Sequence, residues 1–256
     1  EQEFFIVVNA GTKDGDAEWF RKNLSEVNFS DESDNTAKLD LQGPESRDVL
    51  IKLGLDASIL PEYYKFIITK IAGIDCILSR TGYTGELGYE IYVDTNHAVR
   101  VWDFLLSDPR VKPAGLGARD TLRLEMAYPL YGHEMNLSTT PIEAGFAKLL
   151  NIDDEREFIG KSALKQQGAC KKMVGIVLDG KRAARDGAEI MKNEKKIGYI
   201  SSGSYAPSME KAVAIGFVDS NFYPAKGEQV EVFFKKNIFR GCFSDMPFYK
   251  NGTARI

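Results

Sequence analysis

Apolar residues recur at two spacings along this chain, and the balance between them changes near residue 165. Phe4-Phe5-Ile6-Val7-Val8 is a continuous apolar run that predicts a buried strand, ended by Asn9-Ala10-Gly11. Trp19, Phe20, Leu24 and Val27 have helical spacing and predict a helix over 16–27, followed by the polar loop FSDESDN. Ala37–Leu41 alternates as a strand closed by Gly43-Pro44, and 45–53 reads as a helix ending at Gly54. Residues 64–71 and 75–79 predict paired strands around Ala72-Gly73. Residues 97–106 and 116–126 are amphipathic helices. Pro141 and Glu143 suit the first turn of a helix over 141–150.

After Gln167-Gly168 the pattern is short strands: 173–178, 189–191, 196–201, 212–218, 228–234 and 238–244. Turn pairs such as Asp179-Gly180, Asp186-Gly187 and Lys226-Gly227 separate them. The expected fold class is therefore α+β over residues 1–165, then an antiparallel β-barrel domain over 166–256.

Composition narrows the function classes. The 256 residues carry a formal net charge of −4 and no basic stripe, which argues against a nucleic-acid partner. Lys192–Lys196 (KNEKK) is read as a solvated hairpin tip. No apolar run reaches membrane-spanning length, so no membrane role is expected. Three widely spaced cysteines, Cys76, Cys170 and Cys242, fit a reducing compartment better than a disulfide framework. With His97 and His133 as the histidines, no metal site is expected, and His-based nucleophilic catalysis has little to work with.

The stretch SRTGYTGELGYEIYV concentrates the candidate chemistry. Gly82, Gly85 and Gly88 mark a tight turn or a close backbone approach, and the strand behind them carries a carboxylate. Alternation puts Glu90 and Tyr92 on one face and Tyr89, Ile91 and Val93 on the other. On spacing alone Glu90 is a solvent-facing strand residue or a pocket residue. Arg119 pairs with Asp120 or Glu125, or meets a ligand, and Tyr83 covers a core edge or lines a site. Gly115-Leu116-Gly117-Ala118-Arg119-Asp120 lacks the third glycine and the leading strand of a dinucleotide fingerprint, and there is no phosphate loop.

Longer blocks identify a relative. RTGYTGELGYEIYV, GLGARDTLRLEMAYPLYGHEM, TTPIEAGF and FIGKSAL resemble the glycine cleavage system T-protein (aminomethyltransferase) family, in family order. FFIVVNAG, LDLQGPES, IGYISSGSYAPSMEKAVAIGFV and MPFY extend the resemblance to nearly the whole chain. It implies a clover-leaf fold around a central folate site. It also implies transfer of a methylene unit from an aminomethyl on lipoylated H-protein to tetrahydrofolate, with release of ammonia. The resemblance places the pterin-binding carboxylate on Glu90, which would accept two adjacent N–H donors. It puts further folate contacts on Arg119, Tyr83, Phe5, Val7 and Asn9, and a possible cleft residue on Arg185. The turn glycines would then bend backbone around the flat heterocycle. A cytoplasmic location is implied, or the mitochondrial matrix in a eukaryote.

Two departures stand out. The family's catalytic Asp falls before residue 1, so the chain is expected to be an N-terminally truncated member, with no catalytic residue of its own and no activity as it stands. Lys148 occupies a position where the family usually has an aromatic. The alternatives are a non-catalytic folate- or partner-binding relative, or a folate-dependent demethylase of the same family.

Overall fold

The computed structural model describes residues 3–256, which divide into two compact units. Unit one comprises residues up to Gly82, Glu86–Pro113 and Thr253–Ile256. Its frame is a four-stranded antiparallel sheet in the order β1-β4-β3-β2, with β1 Thr36–Gln42, β2 Phe66–Ile71, β3 Ile74–Ser79 and β4 Gly88–Asp94. Alternation decides its two faces. Leu39, Leu41, Leu78, Tyr89, Ile91 and Val93 point inward, where α2 (Ser46–Lys52) and α3 (Ala98–Leu106) contribute Val49, Leu50, Val101 and Leu105. The β2–β3 hairpin turns on Ala72 and Gly73, both at positive φ, the backbone that matches strand twist in a two-residue loop.

Two expectations fail here. Phe4–Val8 is not a buried strand: the segment has no ladder partner among the described residues, and Phe4 is 75% and Ile6 57% exposed. An apolar run becomes a strand only where another strand accepts its backbone, and this one has none. The first helix, α1, runs Lys13–Asn23 rather than 16–27. Asp14 and Asp16 lie in its first turn and Arg21 and Lys22 in its last, as the helix dipole favours. Asn23 closes it by donating to the Trp19 carbonyl (2.8 Å), which leaves Leu24 and Val27 beyond its end.

Unit two comprises Tyr83–Gly85 and Ala114–Gly252. It begins with α4 (Leu116–Glu125), the short α5 (Ala147–Leu150) and α6 (Lys161–Gln167). A closed antiparallel barrel follows, in the order β10-β5-β8-β7-β6-β9. Its strands are β5 Lys171–Leu178, β6 Glu189–Lys192, β7 Lys195–Ala206, β8 Lys211–Asp219, β9 Gln229–Phe234 and β10 Asn237–Ser244. Val174, Ile176, Ile190, Ile200, Ala214 and Val232 fill its interior. β8 is buried on both faces, because Val213 and Ile215 turn outward onto Leu124 of α4. The KNEKK segment is the β6–β7 hairpin tip, with Asn193 and Glu194 at positive φ.

The helix expected over 141–150 is reduced to a single turn and α5. Thr140 and Glu143 form a reciprocal capping box: the Thr140 N–H donates to Glu143 Oε2 (2.9 Å), and the Glu143 N–H to Thr140 Oγ1 (3.2 Å). Gly145, at φ +88°, then ends the turn, with the Phe146 N–H donating to the Pro141 carbonyl (2.8 Å). The other Glu143 oxygen accepts the N–H groups of Cys170 and Lys171 at 3.0 and 3.2 Å. That tether to the start of β5 is a long-range demand which helical periodicity does not reveal. Among the described residues, no helix is long and apolar enough to cross a membrane.

Candidate functional site

Glu90 sits on β4 beside Tyr92, on the sheet face opposite the core, as alternation requires. Asp40 of β1 and Ser79 of β3 flank it directly in register. Its side chain is only 14% exposed, yet three donors converge on it. Lys38 Nζ donates to Oε1 at 2.5 Å, Tyr92 Oη donates to Oε2 at 3.1 Å, and Thr81 Oγ1 donates to Oε2 as well. Burial pushes its pKa up, but the hydrogen bonds from Lys38 and Thr81 and the charge of Lys38 outweigh burial and hold the carboxyl below its ordinary range. Glu90 is thus a half-buried, ionised acceptor. Phe5 stacks edge-on against the neighbouring Tyr92, 5.2 Å between ring centroids. Val7 and Asn9 are exposed on the same N-terminal segment.

The glycines of the turn have local occupants. A Cβ at Gly82 or at Gly88 would overlap the Gln42 carboxamide. That side chain lies along the turn and donates to the Thr81 carbonyl at 3.2 Å. Gly85, at φ +78°, makes room for Met126 in the same way. The backbone therefore closes around Gln42 and Met126 at this turn.

Tyr83 and Arg119 meet in unit two. The Arg119 guanidinium lies 4.7 Å from the Tyr83 ring centroid, a cation–π contact. Tyr83 also stacks on Tyr128 at 5.6 Å and donates its hydroxyl to the Pro129 carbonyl at 2.5 Å. Burial raises its phenol pKa, so it remains a neutral donor. Arg185 is exposed on the loop before β6 and donates to the Gly203 carbonyl at 3.4 Å.

Behind Tyr83 lies a network that sequence reasoning missed. Arg123 and Glu134, both buried, pair at 3.0 Å. Arg123 also donates to Asp120 (2.9 Å), to Ser202 Oγ (2.8 Å) and to the Tyr128 carbonyl (3.2 Å). Ser201 Oγ donates to the second Glu134 oxygen at 2.6 Å. Adjacent strand residues normally face opposite ways, but β7 shifts register between Ile200 and Ser202, and this bulge turns both serines into the network. His133 Nδ1 donates to the Ser201 carbonyl at 3.0 Å. The available signal was chemical: an Arg and a Glu in GARDTLRLEMAYPLYGHE with no apolar reason for burial.

Comparison with known proteins agrees with this architecture. Residues 1–154 match the GCVT N-terminal domain, and residues 171–250 match the glycine cleavage T-protein C-terminal barrel domain. The chain is 40% identical to an aminomethyltransferase of Caldanaerobacter subterraneus subsp. tengcongensis, covering 98% of this chain and 69% of that protein. It is 37% identical to an aminomethyltransferase of Thermotoga petrophila, covering 99% and 71%. The crystal structure of the glycine cleavage system aminomethyltransferase T from Bartonella henselae superposes with a TM-score of 0.84 at 29% identity, over 96% of this chain and 68% of that one. Two family domains in order, a closed six-stranded barrel and identity near 40% over nearly the whole of this chain place it in the glycine cleavage T-protein (aminomethyltransferase) family of enzymes.

Proposed function

We propose that this chain serves tetrahydrofolate-dependent aminomethyl transfer in glycine cleavage. Tetrahydrofolate is the acceptor, and the aminomethyl-loaded lipoyl arm of H-protein is the donor. One observation carries the reading: Glu90 is held ionised, half-buried and outside the core, on the face of a rigid sheet. An ionised carboxylate is acceptor-only, with about four lone-pair sites, and it suits a flat edge offering two neighbouring N–H donors. The pterin of a reduced folate offers that edge, and its folate nitrogens receive the one-carbon unit.

The other assignments follow the same reading. Arg119 and Tyr83 contact the folate, with the guanidinium seated over the aromatic ring and presenting its donors as a planar fork. Phe5, Val7 and Asn9 line the pterin region, and Arg185 is a further cleft contact. Residues 1–165 carry the folate contacts, and residues 166–256 supply the barrel.

Backbone amide shift mapping tests this directly. Adding tetrahydrofolate to the labelled chain should perturb the amides of Thr81, Glu90 and Tyr92, together with those of Tyr83 and Arg119. Saturable shifts confined to other residues would overturn the assignment.

A further inference from the structure

Asp40 and Glu90 face each other directly across the β1–β4 ladder, so two carboxylates share one stretch of sheet face. Like charges in directly opposed positions destabilise a sheet. Lys38, two residues along β1 from Asp40, relieves the repulsion by reaching both. Its Nζ lies 2.5 Å from Glu90 Oε1 and 3.1 Å from Asp40 Oδ1. The three side chains are 30% (Lys38), 25% (Asp40) and 14% (Glu90) exposed, within the range where charges still act on one another strongly. Among the described residues, the other donors to Glu90 are neutral: Thr81 and Tyr92 on Oε2, with Ser79 behind Thr81 at 2.8 Å.

A ligand edge with two N–H groups sets one donor on each carboxylate oxygen. Oε2 takes hydroxyls, which have spare geometry, but Oε1 holds the Lys38 ammonium. The strands are fixed by their ladder, whereas a lysine head is a compact charge on a flexible stem. Asp40 is already within its reach.

We propose that Lys38 is a positioning residue for Glu90: a displaceable cation that holds the carboxylate in place, then moves onto Asp40 and yields Oε1 to the ligand's N–H edge. This rests on the reading that Glu90 takes the pterin edge. The exchange is of hydrogen bonds alone. Asp40 is the second seat, and it keeps the ammonium neutralised while Glu90 is occupied.

Calorimetric titration with tetrahydrofolate between pH 5 and 8, on the full chain, tests the exchange. Asp40→Asn removes the second seat while leaving Glu90 intact, and should weaken binding about tenfold at pH 7.5, the scale of one charge-assisted hydrogen bond. Lys38→Met removes the cation that the two opposed carboxylates share, so Glu90 takes up a proton more readily. Its affinity should fall steadily as the pH drops from 7 to 5, a range over which the unsubstituted chain changes little. The double variant Lys38→Met with Asp40→Asn removes cation and competitor together, and should restore both the affinity and the flat profile.

A merely structural Lys38 would shift stability without that pH profile and without rescue by the second substitution, and such a result overturns the exchange. Glu90→Gln separates the two claims. If it weakens binding while Asp40→Asn and Lys38→Met leave affinity and profile unchanged, the exchange fails and the pterin reading stands. If tetrahydrofolate binds with equal affinity to the Glu90→Gln variant, or does not bind the unsubstituted chain, the reading fails and the exchange with it.

Discussion

Arg123 of α4 and Glu134 of the loop behind it form a buried ion pair at 3.0 Å whose spare groups are taken up by Ser201 and Ser202 of β7. Both charges have left water, and the surrounding hydrogen bonds compensate for the lost hydration. Removing either partner strands the other. Glu134→Gln or Arg123→Met alone should therefore destabilise the chain by about 3–5 kcal/mol in urea denaturation. The paired substitution should cost clearly less than the sum of the two. A loss under about 1 kcal/mol for both singles would show that the pair is not closed to water.

The Gln42 carboxamide fills the space in front of Gly82 and Gly88. Gly88→Ala should push aside the carboxamide, the flexible end of the Gln42 side chain, and lower stability by about 1 kcal/mol, the low end of overpacking costs. Combining it with Gln42→Ala should recover most of that loss. Thermal melts of the three variants check this, and additive losses would contradict the fit.

Glu143 ties its own turn to the start of β5. Burial raises its pKa, but the N–H groups of Thr140, Cys170 and Lys171 more than offset that, and the carboxyl sits below its ordinary value of 4.5. A depressed carboxylate stabilises the fold above the unfolded-state pKa, and that contribution is lost as pH falls through the folded value. Glu143→Gln should therefore be less stable than the parent at pH 7. The gap should close as acid titration proceeds downward from about 4.5. A gap independent of pH would mean that the charge of Glu143 contributes nothing.

Burial in the unit-one core pushes the Cys76 thiol up to about 11, whereas Cys170 is exposed. The thiolate is the reactive form. A disulfide reagent at pH 8 should modify Cys170 at once and Cys76 only on unfolding, as peptide mapping would show. Equal rates would mean that the core around Cys76 opens readily.

Much of the fold was legible because much of it is local. The six barrel strands declared themselves by alternation and by Gly turns at 180, 187 and 227, all at positive φ in the structure. The face shared by Glu90 and Tyr92 followed from a two-residue period alone. What escaped depended on distant partners. Phe4–Val8 had strand composition but no ladder among the described residues to join, and the helix at 141–150 breaks at Gly145, where Glu143 of the first turn is tied to the amides of residues 170 and 171. Arg123 meets Ser202 across 79 positions through a β-bulge, and neither feature has a sequence period. Lys38 stands opposite Tyr92 and reaches diagonally to Glu90, a meeting that only the strand register sets.

Glu90 as the reader of the pterin edge is the claim on which the functional account turns, and calorimetric titration of tetrahydrofolate into the parent and the Glu90→Gln variant at pH 7.5 tests it most directly. The amide keeps the shape and one acceptor, but it loses the charge and sets an NH₂ where a ligand N–H must approach. Losing a hydrogen bond to a charged group is worth about 1.5–3 kcal/mol, so the variant should bind roughly ten- to a hundredfold more weakly, with its fold intact by amide spectrum. Equal affinity in the two proteins would contradict the account.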